Sequence, residues 1–145
     1  MLRINRLRVE INTANGVYGI DESFRDGLNF VASLDNTCGK SSILAAIYYC
    51  LGFEQILGGV GGIGSKVLTS AFKTTIEDNG TPWTVTESGC YLEISNGNET
   101  RTIYRNIKSE SKDNRLMTVY YGSYDSIGDH KTVSEDYYVN IQNAA

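Results

Sequence analysis

Apolar and charged residues alternate from the start of the chain, with Leu2, Ile4, Leu7, Val9 and Ile11 set between Arg3, Arg6, Arg8 and Glu10. A period of two predicts a strand, and the phase slips by one near Asn5–Arg6. Asn15-Gly16 is a hairpin signal, so Val17–Phe24 reads as a second strand. Arg25-Asp26-Gly27 marks a turn. Leu28–Ser33 is a short, mostly apolar run suited to a buried strand. After Gly39 the period changes: Ile43, Leu44, Ile47 and Leu51 fall at helical spacing, Ala45 and Ala46 favour a helix, and Gly52 is a natural stop.

Beyond the helix, six glycines lie within the thirteen residues Gly52–Gly64. That composition predicts a flexible loop over about 52–66. Val67–Glu77 fits helix and strand equally. Trp83–Ser95 and Thr100–Ile107 read as two strands joined through Asn96-Gly97-Asn98, and Leu116–Tyr121 as another. Ser109–Arg115 is a charged loop, and the tail gives no clear period.

Composition changes little in this picture. With 145 residues, 41% apolar and 21% charged, the chain has the size of one domain with a single core. A net charge of −4 argues against a surface that coats nucleic acid all over, though a local basic strip remains compatible with it. Cys38, Cys50 and Cys90 are far apart, and His130 is the only histidine, so reduced cytoplasmic thiols are expected rather than a disulfide framework or zinc site. No apolar run approaches the roughly 18 residues of a membrane span, so no membrane partner is expected.

The chemistry concentrates in Leu34-Asp35-Asn36-Thr37-Cys38-Gly39-Lys40-Ser41, which fits G-x-x-x-x-G-K-[ST] at every fixed position except the first. A loop running into a helix N-terminus aims several amides at one point, and the helix dipole favours an anion there. Successive amides around Thr37–Ser41 would form the nest, within a nucleotide-binding set of Asn36, Thr37, Cys38, Gly39, Lys40, Ser41 and Ser42. Gly39 would let the backbone approach phosphate, and Lys40 would reach the β- and γ-phosphates. Ser41 would ligate Mg²⁺, and Ser42 would touch the α-phosphate. Leu34 stands where a glycine usually eases the turn. The bland alternative is a helix cap with a solvated lysine.

Two strands precede this segment and strand hairpins follow its helix. With Leu2–Leu7, Gly27-Leu28-Asn29-Phe30-Val31 and the run Asp35-Asn36-Thr37-Cys38-Gly39-Lys40-Ser41-Ser42-Ile43-Leu44, the chain resembles ABC-type ATPase heads of the SMC/RecN-like branch. Tyr48–Gly59 is similar to SMC-like ATPases of bacterial antiphage systems such as the Lamassu type. The resemblance implies an α/β fold, the N-terminal lobe of a P-loop NTPase, with a mixed sheet and antiparallel β-hairpins around a P-loop strand and helix. It implies ATP and Mg²⁺ as cofactors, and heads that form a homodimer around nucleotide. The ATP cycle would then act on DNA in repair, chromosome organisation or phage defence.

Two parts of such an ATPase are not found here: an Asp-Glu pair closing an apolar strand, and a Ser-Gly-Gly signature. In the family they lie in the C-terminal half. Residues 1–145 are therefore expected to be an N-terminal lobe, a fragment or split-gene product, with ATP hydrolysis awaiting the C-terminal half of the same ATPase or a complementary chain. The resemblance also implies a glutamine near Mg²⁺ and the attacking water. Gln142 has about the right position, an exposed tail residue being the other reading, and Gln55 is a poorer candidate.

Arg101, Arg105, Lys108, Lys112 and Arg115 read either as a DNA-backbone strip around Tyr104 or as a solvated hairpin face, the latter favoured. Arg3, Arg6 and Arg8 read in the same two ways, as first-strand arginines that meet nucleotide or DNA or as surface residues, the latter favoured. Asp125, Asp129, Glu135 and Asp136 read as an exposed acidic tail rather than metal ligands. Two rival functions remain: a degenerate scaffold module without catalysis, and a P-loop kinase. A GTPase is disfavoured because the guanine-recognising Asn-Lys-x-Asp is absent.

Overall fold

The computed structural model describes residues 1–34, 39–57, 71–128 and the backbone of 133–138. Strands β1 (Arg3–Thr13) and β2 (Gly16–Ser23) form the opening hairpin, followed by helix α1 (Lys40–Cys50). Strands β3 (Thr75–Asp78), β4 (Thr81–Ser95), β5 (Thr100–Lys108), β6 (Leu116–Tyr121) and β7 (Val133–Tyr138) come next. Short 3-10 turns lie at Glu54–Leu57 and Tyr124–Ser126. Six strands run in the order β2-β1-β4-β5-β6-β7, with β3 paired to the start of β4. All of these pairings are antiparallel.

The phase slip in the first strand is a β-bulge. Ile4 pairs with Ile94 and Arg6 with Glu93, leaving Asn5 as the extra residue. The bulge lets Ile4 and Leu7, three apart, both face the core. On that face Leu7, Val9, Cys90 and Leu92 meet Ile43, Ala45, Ala46, Tyr49 and Cys50 of α1. A fully buried Leu such as Leu7 or Leu92 contributes about 1.5–3 kcal/mol. The helix is where expected, but its buried face is rotated. Ala45 and Ala46, without bulk beyond Cβ, let the helix axis approach the sheet, and Leu44 is left 57% exposed.

Residues 28–33, expected as a buried P-loop strand, form no strand. Among the described residues, none of the strand pairings includes them. Leu28 and Phe30 are 79% and 84% exposed, and Leu34 is fully exposed. A strand apolar on both faces needs neighbours at both edges and layers over both faces. The described residues supply neither. What orders the start of this segment is Asn29, whose Oδ1 accepts from the Arg25 amide (2.9 Å) and whose Nδ2 donates to the Arg25 carbonyl (2.8 Å). The architecture is thus α/β with an antiparallel sheet and few helices, an arrangement that fits a P-loop NTPase lobe poorly as it stands. The expected glycine-rich loop starts with the 3-10 turn Glu54–Leu57, and its remainder lies outside the described residues.

The two opening strands approach each other too closely for a side chain at Gly19, where a Cβ would overlap the Val9 carbonyl oxygen. Gly19→Ala is expected to destabilise by more than about 2 kcal/mol in urea denaturation. Gly128→Ala, where a Cβ meets nothing within 4 Å, should stay within about 0.5 kcal/mol of the parent. Equal losses at both positions would show that the close strand approach is not what selects glycine.

Candidate functional site

The first turn of α1 follows a glycine in the left-handed region: Gly39 has φ 73° and ψ 15°. Its carbonyl accepts the opening bonds of the helix, from the amides of Ser42 (3.0 Å) and Ile43 (3.2 Å). A Cβ on Gly39 would meet nothing nearer than Ser42 Oγ at 4.0 Å, so it is backbone conformation rather than crowding that calls for glycine. A left-handed residue handing over to right-handed ones turns successive amides toward one point, as in an anion-binding nest. Among the described residues no side chain caps the helix, and its first turn holds no acidic residue. Lys40 places a cation at the positive end of the helix dipole, beside the turn where an anion would be favoured.

Lys40 is half-buried and Ser41 exposed. Ser42 Oγ lies 3.4 Å from the Ala71 carbonyl, so its hydroxyl faces the chain as well as the turn. Beside Gly39 and Ser42 opens a cleft of about 340 Å³, walled by Val9, Ile11, Tyr18 and Ile20 of the first hairpin and by Phe72 and Lys73. Tyr18 is held in place by a hydrogen bond from its hydroxyl to Asp78 (2.8 Å). Of the expected site residues, Gly39 and Ser42 line this cleft, and Lys40 and Ser41 lie between them in the first turn of α1. Asn36, Thr37, Cys38 and Gln142 lie outside the described residues, and Gln55 is exposed on the 3-10 turn after α1.

The other end of α1 is served by a residue that the sequence pattern assigned elsewhere. The last turn has no basic residue of its own. Arg105, from β5, is completely buried and donates from Nη1 to the Tyr49 carbonyl (2.8 Å) and from Nε to the Asn114 carbonyl (2.7 Å). Its guanidinium also lies over the Tyr49 ring, 4.0 Å from the centroid. A buried charge is tolerable when hydrogen-bonded, and a cation at a helix C-terminus is favoured by the dipole. Arg105 therefore cannot belong to a surface DNA strip. The available signal was its alternation with Ile103 and Ile107, which puts it on the inner face.

The rest of the proposed strip is also engaged. Arg101 bonds Glu99 (3.0 Å) and covers the Tyr121 ring, and Lys108 donates to the Val85 carbonyl. Lys112 faces Glu87 at 3.4 Å, and Arg115 pairs with Asp113 at 2.7 Å. These geometries match the solvated-face reading. On the outer face of β1, Arg6 and Arg8 grip Asp21 from both sides, each at 2.7 Å, and Arg6 also reaches Asp125 (3.0 Å). The Arg6 bond, joined by Arg8, holds the Asp21 carboxyl down at about 2. Tyr91, in the same layer, is pushed up to about 12 by burial and nearby Glu10. Among the described residues no cluster of His, Cys, Asp and Glu is arranged to hold a metal ion. Asp125 is exposed, as an acidic surface residue should be; Asp129 is outside the described residues, and only the backbone is described at Glu135 and Asp136.

Arg105→Ala would remove one of the two bonds at each of the Tyr49 and Asn114 carbonyls, leaving the Gly52 amide on the first and the Tyr49 hydroxyl on the second, and would open a cavity under α1. A loss of roughly 3 kcal/mol is expected in denaturant, against less than about 0.5 kcal/mol for Arg101→Ala. Comparable losses from both would refute the helix-end role. Asp21 carries a folded-state pKa below its ordinary value of 3.8, so its contribution is present above about pH 4 and fades as the pH falls toward 2. Asp21→Asn should therefore flatten the acid limb of stability between those values; an unchanged limb would remove Asp21 from the account.

The described residues hold no helix long and apolar enough to cross a membrane. Set beside known proteins, the chain matches no family model, no curated protein and no solved structure, and its own residues carry the functional reading.

Proposed function

We propose that the turn leading into α1 binds the phosphates of a nucleoside triphosphate together with Mg²⁺, and that the chain serves as the N-terminal lobe of an SMC/RecN-like ATPase head. The observation that carries this reading is the left-handed Gly39 that opens α1, with Lys40 and Ser41 in a first turn that holds no acid. The donors suit a polyphosphate: converging amides, a primary ammonium, and the exposed Ser41 hydroxyl as a hard oxygen ligand for Mg²⁺. Asn36, Thr37 and Cys38 would complete the loop. The cleft walled by Tyr18, Phe72 and Lys73 gives room beside the phosphates for more of the ligand. When bound, the triphosphate supplies the anhydride bond that an ATPase cleaves. The residues of this chain bind and orient it.

The bare segment 28–34 supports the second half of the proposal. Its exposed Leu28, Phe30 and Leu34 would be covered, and its backbone paired, by a complementary lobe from the C-terminal half of the ATPase or a second chain. Hydrolysis would require that lobe, with Gln142 near the Mg²⁺. Nucleotide-dependent homodimerisation and an action on DNA follow from the resemblance and share its fate. The exposed apolar run also favours a second reading, a scaffold lobe that docks its partner with no nucleotide.

Calorimetric titration of the chain with ATP and Mg²⁺ separates the two. Saturable binding is expected, weakened about tenfold or more in Lys40→Ala, since a charge-assisted bond to phosphate is worth roughly 1.5–3 kcal/mol. No heat of binding with either protein, or equal affinity in both, would leave the scaffold reading standing alone.

A further inference from the structure

The last residue of α1 and the middle of β4 each present a cysteine to the same spot. Cys50 and Cys90 are both completely buried, and their sulfurs lie 2.8 Å apart. The two residues are 40 apart in sequence and sit on different kinds of element, so their meeting is a product of the fold rather than of local chain geometry. Around them lie the fully buried Leu7 and Leu92 and the buried Arg105, whose carbonyl oxygen is 3.5 Å from Cys90 Sγ. No step of nucleotide binding uses either thiol. A disulfide bond is about 2.0 Å long, so the sulfurs would need to close by less than about 1 Å.

We infer that Cys50 and Cys90 form a redox-responsive clamp that, on oxidation, ties the C-terminal end of α1 covalently to β4. The oxidant is a low-molecular-weight disulfide of the glutathione class. One thiol loses its proton and attacks a sulfur of that oxidant, releasing one molecule of its thiol and leaving a mixed disulfide on the protein. The second cysteine, also deprotonated, attacks the protein sulfur of the mixed disulfide and expels the other thiol molecule. The protein gives up two electrons and two protons in all, and the oxidant takes up both to become two thiols.

Burial sets the conditions. Neither sulfur can meet an oxidant while α1 lies flat on the sheet, so the exchange waits for the helix to lift at its C-terminal end. Once joined, the two elements can no longer part, and the helix whose other end carries Lys40 loses that motion. The clamp holds whether or not the turn at Gly39 binds phosphate.

The test uses the whole chain, reduced and then incubated with oxidised glutathione. Remaining thiols are alkylated, and the peptides are mapped by mass spectrometry without reduction. The expected result is a dominant Cys50–Cys90 link, formed faster in sub-denaturing urea, and a melting temperature about 10 °C above that of the reduced chain. Glutathione adducts in place of the link, bridges to Cys38 as the main product, or an oxidised chain that melts no higher would each overturn the clamp. Cys90→Ala should lose both the link and the oxidant-dependent rise in melting temperature. If that variant does not fold, the peptide map and paired melts of the parent decide the matter alone.

Discussion

Among the described residues one long helix, α1, lies on this sheet, and the structure depends on seating it closely. Two adjacent alanines make the approach possible, and Tyr49 and Cys50 fill the space beneath the last turn. Close seating buries Tyr49 completely, so any second bond to its carbonyl, beside that from the Gly52 amide (3.1 Å), has to come from within the protein. Arg105 answers that need from the neighbouring strand, and Tyr49 supports it by stacking under the guanidinium and bonding the Asn106 carbonyl at 2.7 Å. The polar groups under the helix are therefore conditions for its packing.

The two faces of the sheet do different work. The inner face is mostly apolar, with Arg105 as its buried cation, and carries α1. The outer face is a layer of arginines, carboxylates and tyrosines: Tyr91 stacks near Tyr104 and Tyr124, with centroids 4.6 and 5.0 Å away. The ring of Tyr104 covers Gly89, where any side chain would collide with it. Segment 123–128 folds back over β1 through Arg6, which meets Asp125 and the Tyr124 ring. Pairwise, such exposed contacts are weak, but together they fix a strap across strands that are distant in sequence.

What was legible in the sequence followed local period. The alternation of Arg3–Glu10 gave β1, and even the slip at Asn5 was written there as an extra residue. Asn15-Gly16 and Asn96-Gly97-Asn98 placed two hairpins because turn chemistry is local. The helix was visible, but not its orientation, since packing against β4 favoured small residues over Leu44. Residues 28–33 read as a strand because apolar runs report a preference for burial, and burial needs partners that no local pattern reveals. Arg105 was misread for a related reason: charge suggested solvent, and only the fold shows helix carbonyls waiting for it. At the candidate site, Gly39-Lys40-Ser41 was legible as a motif. The left-handed turn and the cleft beside it are three-dimensional facts.

The position of Arg105 also alters how α1 looks to an ion approaching from the far side. An ordinary helix presents half a charge of each sign at its two poles, and at a distance these offset one another. Over eleven residues the poles of α1 stand roughly 16 Å apart, and the guanidinium sits at the negative one. The guanidinium donates to the Tyr49 carbonyl there, and so offsets the partial negative charge of that pole at its source.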